Sequence, residues 1–402
     1  MFRPAARVKA LRQSPANAAN QRATQLKAEG RDILSFAIGE PDFPTPEHVK
    51  EAAIAAMRNE QTKYTAVDGT REMKAAVCTK FARDNGLAFK PEQITVSGGA
   101  KHVIYNAFMC TLDPGDEIIV PAPHYTAYTD IASICGAVPV SIPCTEANGF
   151  KLQPAELERA ITARTRWLVL TSPSNPTGAA YTQEELQALA AVLERHPQVW
   201  VLCDDIYEHL LFDGRTFATM AQAAPALADR TLTVNGVSKA YAMTGWRIGY
   251  GAGPVALINS MRKMQSQSTS CPSSVSQAAA VEALTGPQEY LALRAHEFQQ
   301  RRDAVVRALN AIPGLSCRTP EGAFYVFPSC AGMIGARTPD GRTIATDQDF
   351  ALYLLDAAGV AVVQGDAYGL SPYFRISYAT SMPLLEDGLA RIRRACAALT
   401  RA

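Results

Sequence analysis

In the run Ser238-Lys239-Ala240-Tyr241-Ala242-Met243-Thr244-Gly245-Trp246-Arg247, a lysine stands beside a hydroxyl residue and an arginine follows eight positions later. Burial penalises an ammonium ion, so a lysine in an apolar pocket gives up its proton more readily. The neutral amine is a nucleophile that forms Schiff bases with carbonyl compounds. The arginine adds a permanent, forked cation suited to phosphate. The two together suit an aldehyde that carries a phosphate. Taken alone, the pair fits a surface lysine beside a structural arginine better, because most lysines are exposed.

Four other groups have chemistry to offer. Gly98-Gly99-Ala100-Lys101 stands where a β-rich run gives way to a helical stretch. Small residues let the backbone approach a phosphate, and the free N–H groups of a helix start attract anions. Many ordinary strand-to-helix turns carry the same glycines. Asp204 ends the apolar run 199–203, where a carboxylate needs a partner. A protonated ring nitrogen would serve, with Tyr207 reaching an oxygen of the same ring. Capping of a following helix by Asp204 is the alternative. Asn175 is held in a rigid turn by Pro173, Pro176 and Gly178. It either donates to a ring oxygen or simply completes the turn. In Tyr373-Phe374-Arg375-Ile376-Ser377-Tyr378, strand alternation sets Arg375 and Ser377 on one face. An arginine in an apolar strand needs an anion, either a substrate carboxylate gripped bidentately or an internal acid.

The elements that would hold these groups alternate in kind. Between about 90 and 255, β-rich runs at Ile94–Ser97, 117–121, 138–142, 167–171, 199–203, 231–235 and 247–251 are separated by helical stretches. Several of the runs are continuously apolar, the mark of strands buried on both faces of a parallel sheet. Thr182 through Glu185 reads as a capping box and opens a helix running to His196. Val103, Ile104, Ala107 and Phe108 share one face of another. This alternation predicts an α/β fold with a three-layer large domain, and ligand sites beyond the carboxyl ends of its strands. The first 45 residues carry one helix candidate and a Gly/Pro-rich turn. After about 290 come a long charged helix, hairpin-like strands at 322–328 and 374–378, and a helix from Pro383. Both ends together predict a smaller α+β domain of residues 1–46 and 291–402, beside a large domain of 47–290. The segment 330–346 reads as a mobile insertion.

Composition narrows the partners. The 402 residues carry 39 basic and 38 acidic side chains, a formal charge of +1, which favours neither nucleic acid nor an anionic membrane. No apolar run reaches the length of a spanning helix. Arg3, Arg7, Lys9, Arg12, Arg22 and Lys27 precede the first acid, Glu29. That pattern faintly matches a transit peptide, but we read it as a basic N-terminal helix. Nine scattered cysteines include no C-x-x-C and no zinc spacing, which predicts a reducing, cytoplasmic setting and no metal.

Six segments, taken in order, resemble the class I and II aminotransferases, which are fold type I pyridoxal-phosphate enzymes. They are Gly39-Glu40-Pro41-Asp42-Phe43, Gly99-Ala100-Lys101, Ser174 to Gly178, Asp204-Asp205-Ile206-Tyr207, 238–247 and 374–378. The likeness spans essentially the whole chain and is strongest to bacterial aspartate aminotransferases. It implies a seven-stranded, mostly parallel sheet in the large domain and pyridoxal 5'-phosphate as cofactor. It implies that Lys239 joins the cofactor aldehyde, that Asp204 faces the ring nitrogen, and that Tyr207 and Asn175 bond the ring hydroxyl. Arg247, the backbone of Gly99 and Ala100, Lys101 and Ser238 match the phosphate cradle. Arg375 matches the α-carboxylate clamp and Gly39 the loop that closes over it. Tyr64 matches a tyrosine that reaches the neighbouring subunit's phosphate, which implies a homodimer. Tyr125 stands where relatives usually stack a tryptophan, and its ring can still stack on the cofactor and meet the substrate. Gly236 often is serine in relatives, so one phosphate hydroxyl is absent.

The activity so implied is ping-pong transfer of an amino group from an L-amino acid, aspartate-like, to a 2-oxo acid such as 2-oxoglutarate. Aromatic amino acids, alanine and prephenate are handled by relatives, and a C–S β-lyase would use the same lysine, aspartate and arginine. A serine hydrolase is disfavoured because Ala240 breaks G-x-S-x-G and no aspartate lies between Ser238 and His296. A dehydrogenase fingerprint fails because Pro254 follows Gly249, Gly251 and Gly253 without the last glycine. A DNA-binding regulator would need a further domain before the core.

Overall fold

The computed structural model describes residues 2–9, 11 and 15–400. Twelve strands follow in order: β1 Leu34–Ser35, β2 Ile94–Ser97, β3 Glu117–Ala122, β4 Val138–Pro143, β5 Thr165–Thr171, β6 Trp200–Asp204, β7 Thr231–Gly236, β8 Gly249–Ala252, β9 Tyr325–Val326, β10 Val360–Ala361, β11 Val363–Gln364 and β12 Phe374–Ser377. Seven of them form one sheet in the order β2-β8-β7-β6-β5-β3-β4. Only β8 runs against its neighbours, while β3 to β7 pair in parallel. The period-2 geometry of a strand sends alternate side chains to opposite faces. Ile118, Val120, Trp167 and Val169 accordingly enter one core with Val103, Ile104 and Phe108 of the helix Ala100–Met109. Ile119, Leu168 and Leu170 enter another with Leu186, Leu189 and Leu193 of the helix Gln183–Leu193. Both faces are covered, as the continuous apolar runs require.

The capping box is present: Thr182 Oγ accepts from the Glu185 N–H, and Glu185 accepts from the Thr182 N–H. The helix stops at Leu193 rather than His196, since Pro197 disfavours helical geometry at the residue before it. The last sheet strand starts at Gly249, not at 247. Arg247 has φ +58° and closes a 3-10 turn, Thr244–Trp246.

The chain ends meet. Here β1 pairs with β10 in parallel, and β11, β12 and β9 make a three-stranded antiparallel sheet. The strands near 325 and 375 do pair, though not as a tight hairpin, because the helix Asp347–Ala358 and two short strands intervene. The closing helix is Met382–Ala397. The N-terminal stretch forms two helices, Ala6–Lys9 and Pro15–Ala28, instead of one, and Arg12 lies outside the described residues. The segment 330–346 is pinned down rather than loose. Met333, Ala336 and Ile344 are buried, and Arg337 bridges to Thr343 and Thr400. The core of the terminal segments also takes in Ile206, Tyr207, Leu210 and Phe212 from the turn after β6.

A buried ionic network ties that turn to the sheet. Lys80 is fully buried, pairs with Glu208 and donates to Asn85 Oδ1 at 2.7 Å. Asn85 and Asn235 each donate to Glu208, at 2.9 and 2.8 Å. Burial, the largest single influence, pushes the Glu208 carboxyl up, but the charges of Lys80 and His209 with the hydrogen bonds from Lys80 and Asn85 together outweigh it, and the net shift is downward. Removing one partner of such a pair strands a buried charge. Lys80→Met is expected to cost about 3–5 kcal/mol, read as a lower midpoint in chemical denaturation. The added Glu208→Gln change should recover part of the loss.

Candidate active site

Parallel strands deliver their carboxyl ends to one edge, and that edge forms a cleft of about 390 Å³. Ala100 and Lys101 come from the helix after β2, Tyr125 from beyond β3, Asn175 from beyond β5, Asp204 from the end of β6, and Ser238 and Lys239 from beyond β7. Because β8 is antiparallel, its leading end lies at the same edge, which brings Arg247 into the cleft. Gly39, Arg375 and Tyr325 close it from the terminal segments. Among the residues singled out from sequence, Tyr64 stands apart from the cleft and is 92% exposed.

Lys239 is open to the cleft yet crowded by protein, and its Nζ donates to the Gly39 carbonyl at 2.6 Å. Burial, followed by the nearby Arg375 charge, lowers its pKa to about 8. A usable fraction is thus neutral amine near physiological pH. Asp204 is buried and makes no ion pair among the described residues, so it does not act as an internal salt-bridge partner. Burial raises its pKa to about 6, against the hydroxyl of Tyr128, which donates to Oδ2 at 2.7 Å. Tyr128 is itself buried and held by Thr171 Oγ at 2.7 Å. Its phenol is pushed well up, chiefly by burial, so it remains a donor.

Arg375 answers the question its sequence left open. No carboxylate contacts it among the described residues. One Nη donates to Asn175 Oδ1 at 2.8 Å, the other to the Ala37 carbonyl, and Nε is buried without a partner. The rings of Tyr325 and Tyr368 lie 4.7 and 5.1 Å from its guanidinium carbon. A buried arginine on neutral partners, facing a cleft, is suited to an incoming anion. Asn175 accepts from Arg375 and keeps its NH₂ group for a second acceptor. Among the described residues Arg247 bonds only to carbonyls, those of Thr244 at 2.8 Å and Gly98 at 3.3 Å. Gly99 lies under it at φ +100°, where a Cβ would come 2.4 Å from Nη2. Lys101 is exposed at the mouth, with Nζ 5.3 Å from the centre of the Tyr125 ring.

Tyr128, Thr171, Glu40, Thr244 and Tyr325 also line the cleft. Tyr128 lies in the first turn of the helix Ala127–Ile134, which starts after Tyr125, and none of the motifs picked out from sequence includes it. Nothing local marked Tyr325, a short-strand residue in an apolar run.

Residues 31–392 match the family model for aminotransferase class I and II. The chain belongs to this family. It is a pyridoxal 5'-phosphate-dependent aminotransferase. It is 56% identical over 395 residues to the aspartate aminotransferase of Rhizobium meliloti, covering 98% of this chain and 96% of that one. It is 55% identical to the aspartate/prephenate aminotransferase of Cereibacter sphaeroides, covering 95% and 96%. The crystal structure of the aspartate aminotransferase from Rhizobium meliloti superposes with a TM-score of 0.98 at 56% identity, covering all of both chains. The aminotransferase has a donor set that fits this cofactor. The amine, the unpaired acid and the cradle under Arg247 that a Cβ on Gly99 would fill all face one cleft.

The pH dependence of cofactor binding has a definite sign. Above about 6 Asp204 is a carboxylate that can hold a ring N–H⁺, and below it is protonated and cannot. Affinity of the cofactor-free protein for pyridoxal phosphate, followed by fluorescence titration, should tighten as pH rises through about 6. A hydrogen bond to a charged group contributes about 1.5–3 kcal/mol, and one pKa unit is about 1.36 kcal/mol. Tyr128→Phe should therefore move this midpoint up by about one to two units. Asp204→Asn should abolish the dependence.

Proposed function

We propose that this enzyme moves the amino group of L-aspartate to a 2-oxo acid such as 2-oxoglutarate, each acid gripped in turn by Arg375. The observation that carries this reading is the buried, acid-free guanidinium of Arg375 in the same cleft as the amine of Lys239. The names of the relatives, aspartate aminotransferase and aspartate/prephenate aminotransferase, support aspartate as donor and prephenate as a second acceptor.

The cofactor, when bound, supplies an electron sink that weakens the substrate Cα–H bond. The protein's residues do the rest. Lys239 offers a neutral amine, first as the anchor and then as the base that carries the Cα proton. Asp204 holds the ring nitrogen in its protonated form, with Tyr128 keeping the acid ionised. Tyr207 and the Asn175 amide address the ring oxygen. Arg247, Ser238, Lys101 and the backbone at Gly99 and Ala100 hold the phosphate. Tyr125 stacks on the ring, and Gly39 closes over the substrate carboxylate that Arg375 binds.

Three further parts belong to the proposal. Residues 47–290 act as the large domain, and 1–46 with 291–402 as the small one. Two copies form a homodimer in which Tyr64, exposed in a single chain, reaches the neighbouring phosphate. The enzyme works in the cytoplasm, a reading supported by nine cysteines that form no disulfide among the described residues. No helix among the described residues is long and apolar enough to cross a membrane.

A screen of amino donors against 2-oxoglutarate should give aspartate the highest kcat/KM. Pyruvate plus a thiol as products of a sulfur amino acid would instead favour β-lyase chemistry. Lys239→Ala should lower kcat by at least the 10²–10⁴-fold, roughly, that a positioned proton carrier contributes. Arg375→Ala should raise KM for amino acid and oxo acid alike, by about 10- to 100-fold for a charge-assisted bidentate contact. A rise for one only would remove Arg375 from its role.

A further inference from the structure

We propose that Tyr325 is a positioning residue that joins the carboxylate clamp at Arg375 to the hydroxyl of Tyr207, so that one rigid ring serves both substrate and cofactor contacts. The inference rests on the roles proposed above for Tyr207 and Arg375. Tyr325 is 1% exposed on β9, held by pairing with β12, the strand that carries Arg375. Its ring face lies 4.7 Å from the Arg375 guanidinium carbon. Its hydroxyl is 2.8 Å from the Tyr207 hydroxyl, and the two rings meet edge to face at 5.7 Å. A Cβ on Gly39 would lie 1.9 Å from that same hydroxyl, so the loop that Lys239 donates to is seated on it. Asn175 closes the circuit from the other side by accepting from Arg375.

The direction of the Tyr207–Tyr325 bond carries the consequence. A phenol has one proton to give. If Tyr207 gives its proton to the ring oxygen of the cofactor, the bond between the two phenols must be donated by Tyr325. Chained hydrogen bonds strengthen one another by about 10–30% each, so Tyr325 makes Tyr207 the better donor. The hydroxyl and the ring of Tyr325 therefore have separable duties. The hydroxyl tunes Tyr207, and the ring face holds the guanidinium in place through a cation–π contact.

The test uses the holoenzyme of the wild type and of Tyr325→Phe, Tyr325→Leu and Tyr207→Phe. The first readout is the pH midpoint of the change in visible absorbance. The second is the dissociation constant of maleate, a dicarboxylate that carries no amino or oxo group. A donor on the ring oxygen withdraws charge and lowers the midpoint, so weakening the donor raises it. Tyr207→Phe should raise it by about one to two units. Tyr325→Phe should raise it by about 0.1–0.6 unit and leave maleate binding within about twofold, because the ring remains. Tyr325→Leu should raise the midpoint and also weaken maleate by about three- to thirtyfold. A structural role alone would lower thermal stability without moving the midpoint. If Tyr207→Phe moves the midpoint and Tyr325→Phe does not, the coupling is wrong while the roles of the site residues stand. If Tyr207→Phe leaves it unmoved, the reading of Tyr207 fails and takes the coupling with it.

Discussion

Three charged side chains without charged partners dominate this molecule. Lys239, Asp204 and Arg375 converge on one cleft, and none makes an ion pair with the others or with a neighbour among the described residues. Such groups are costly to desolvate. The protein holds them on neutral dipoles instead: the Gly39 carbonyl for the amine, the Tyr128 hydroxyl for the acid, and an amide and a carbonyl for the guanidinium. The shifts follow directly, with the amine pulled down to about 8 and the acid pushed up to about 6. In this arrangement charge complementarity is left to the ligands of a pyridoxal-phosphate enzyme.

Holding uncompensated charges apart requires a stiff frame. The parallel sheet supplies most of it, since both of its faces are covered by helices. The antiparallel β8 lets Arg247 enter from the leading end of a strand while its neighbours contribute from their trailing ends. Behind the cleft, Lys80, Glu208, Asn85 and Asn235 tie the turn bearing Tyr207 to the end of the strand that leads to Lys239. There a lysine and a carboxylate do compensate each other. The contrast separates charges that serve structure from charges kept for chemistry.

The terminal segments contribute more than a cover. Arg375 and Tyr325 come from paired strands of the small sheet, and Gly39 from the turn that follows β1. Their core merges with the turn after β6 through Ile206, Tyr207 and Leu210. The strand bearing Arg375 and the turn bearing Tyr207 are therefore connected by packed apolar contacts.

Local chemistry determined much of this in advance. Continuous apolar runs specified a two-faced parallel sheet, and a capping box placed the helix after Thr182. Lys239, Arg247 and the acid, amide and glycines at strand ends suited a cofactor with aldehyde, ring nitrogen and phosphate, and the resemblance of six ordered segments to the class I and II aminotransferases implied it. What sequence left even was whether Arg375 met an internal acid and whether Asp204 merely capped a helix, because a side chain's partner is set by residues far away in the chain. Folding decided both: neutral groups, Asn175 and Ala37, meet Arg375, while Asp204 takes the Tyr128 hydroxyl and the Ile206 N–H of a turn, with no helix directly after it to cap. It also set Tyr325 against Arg375 and Tyr207, although no spacing between 207, 325 and 375 carries a local signal. Residue type and short-range period are written along the chain, whereas the electrostatic surroundings of a buried group exist only once distant strands have paired.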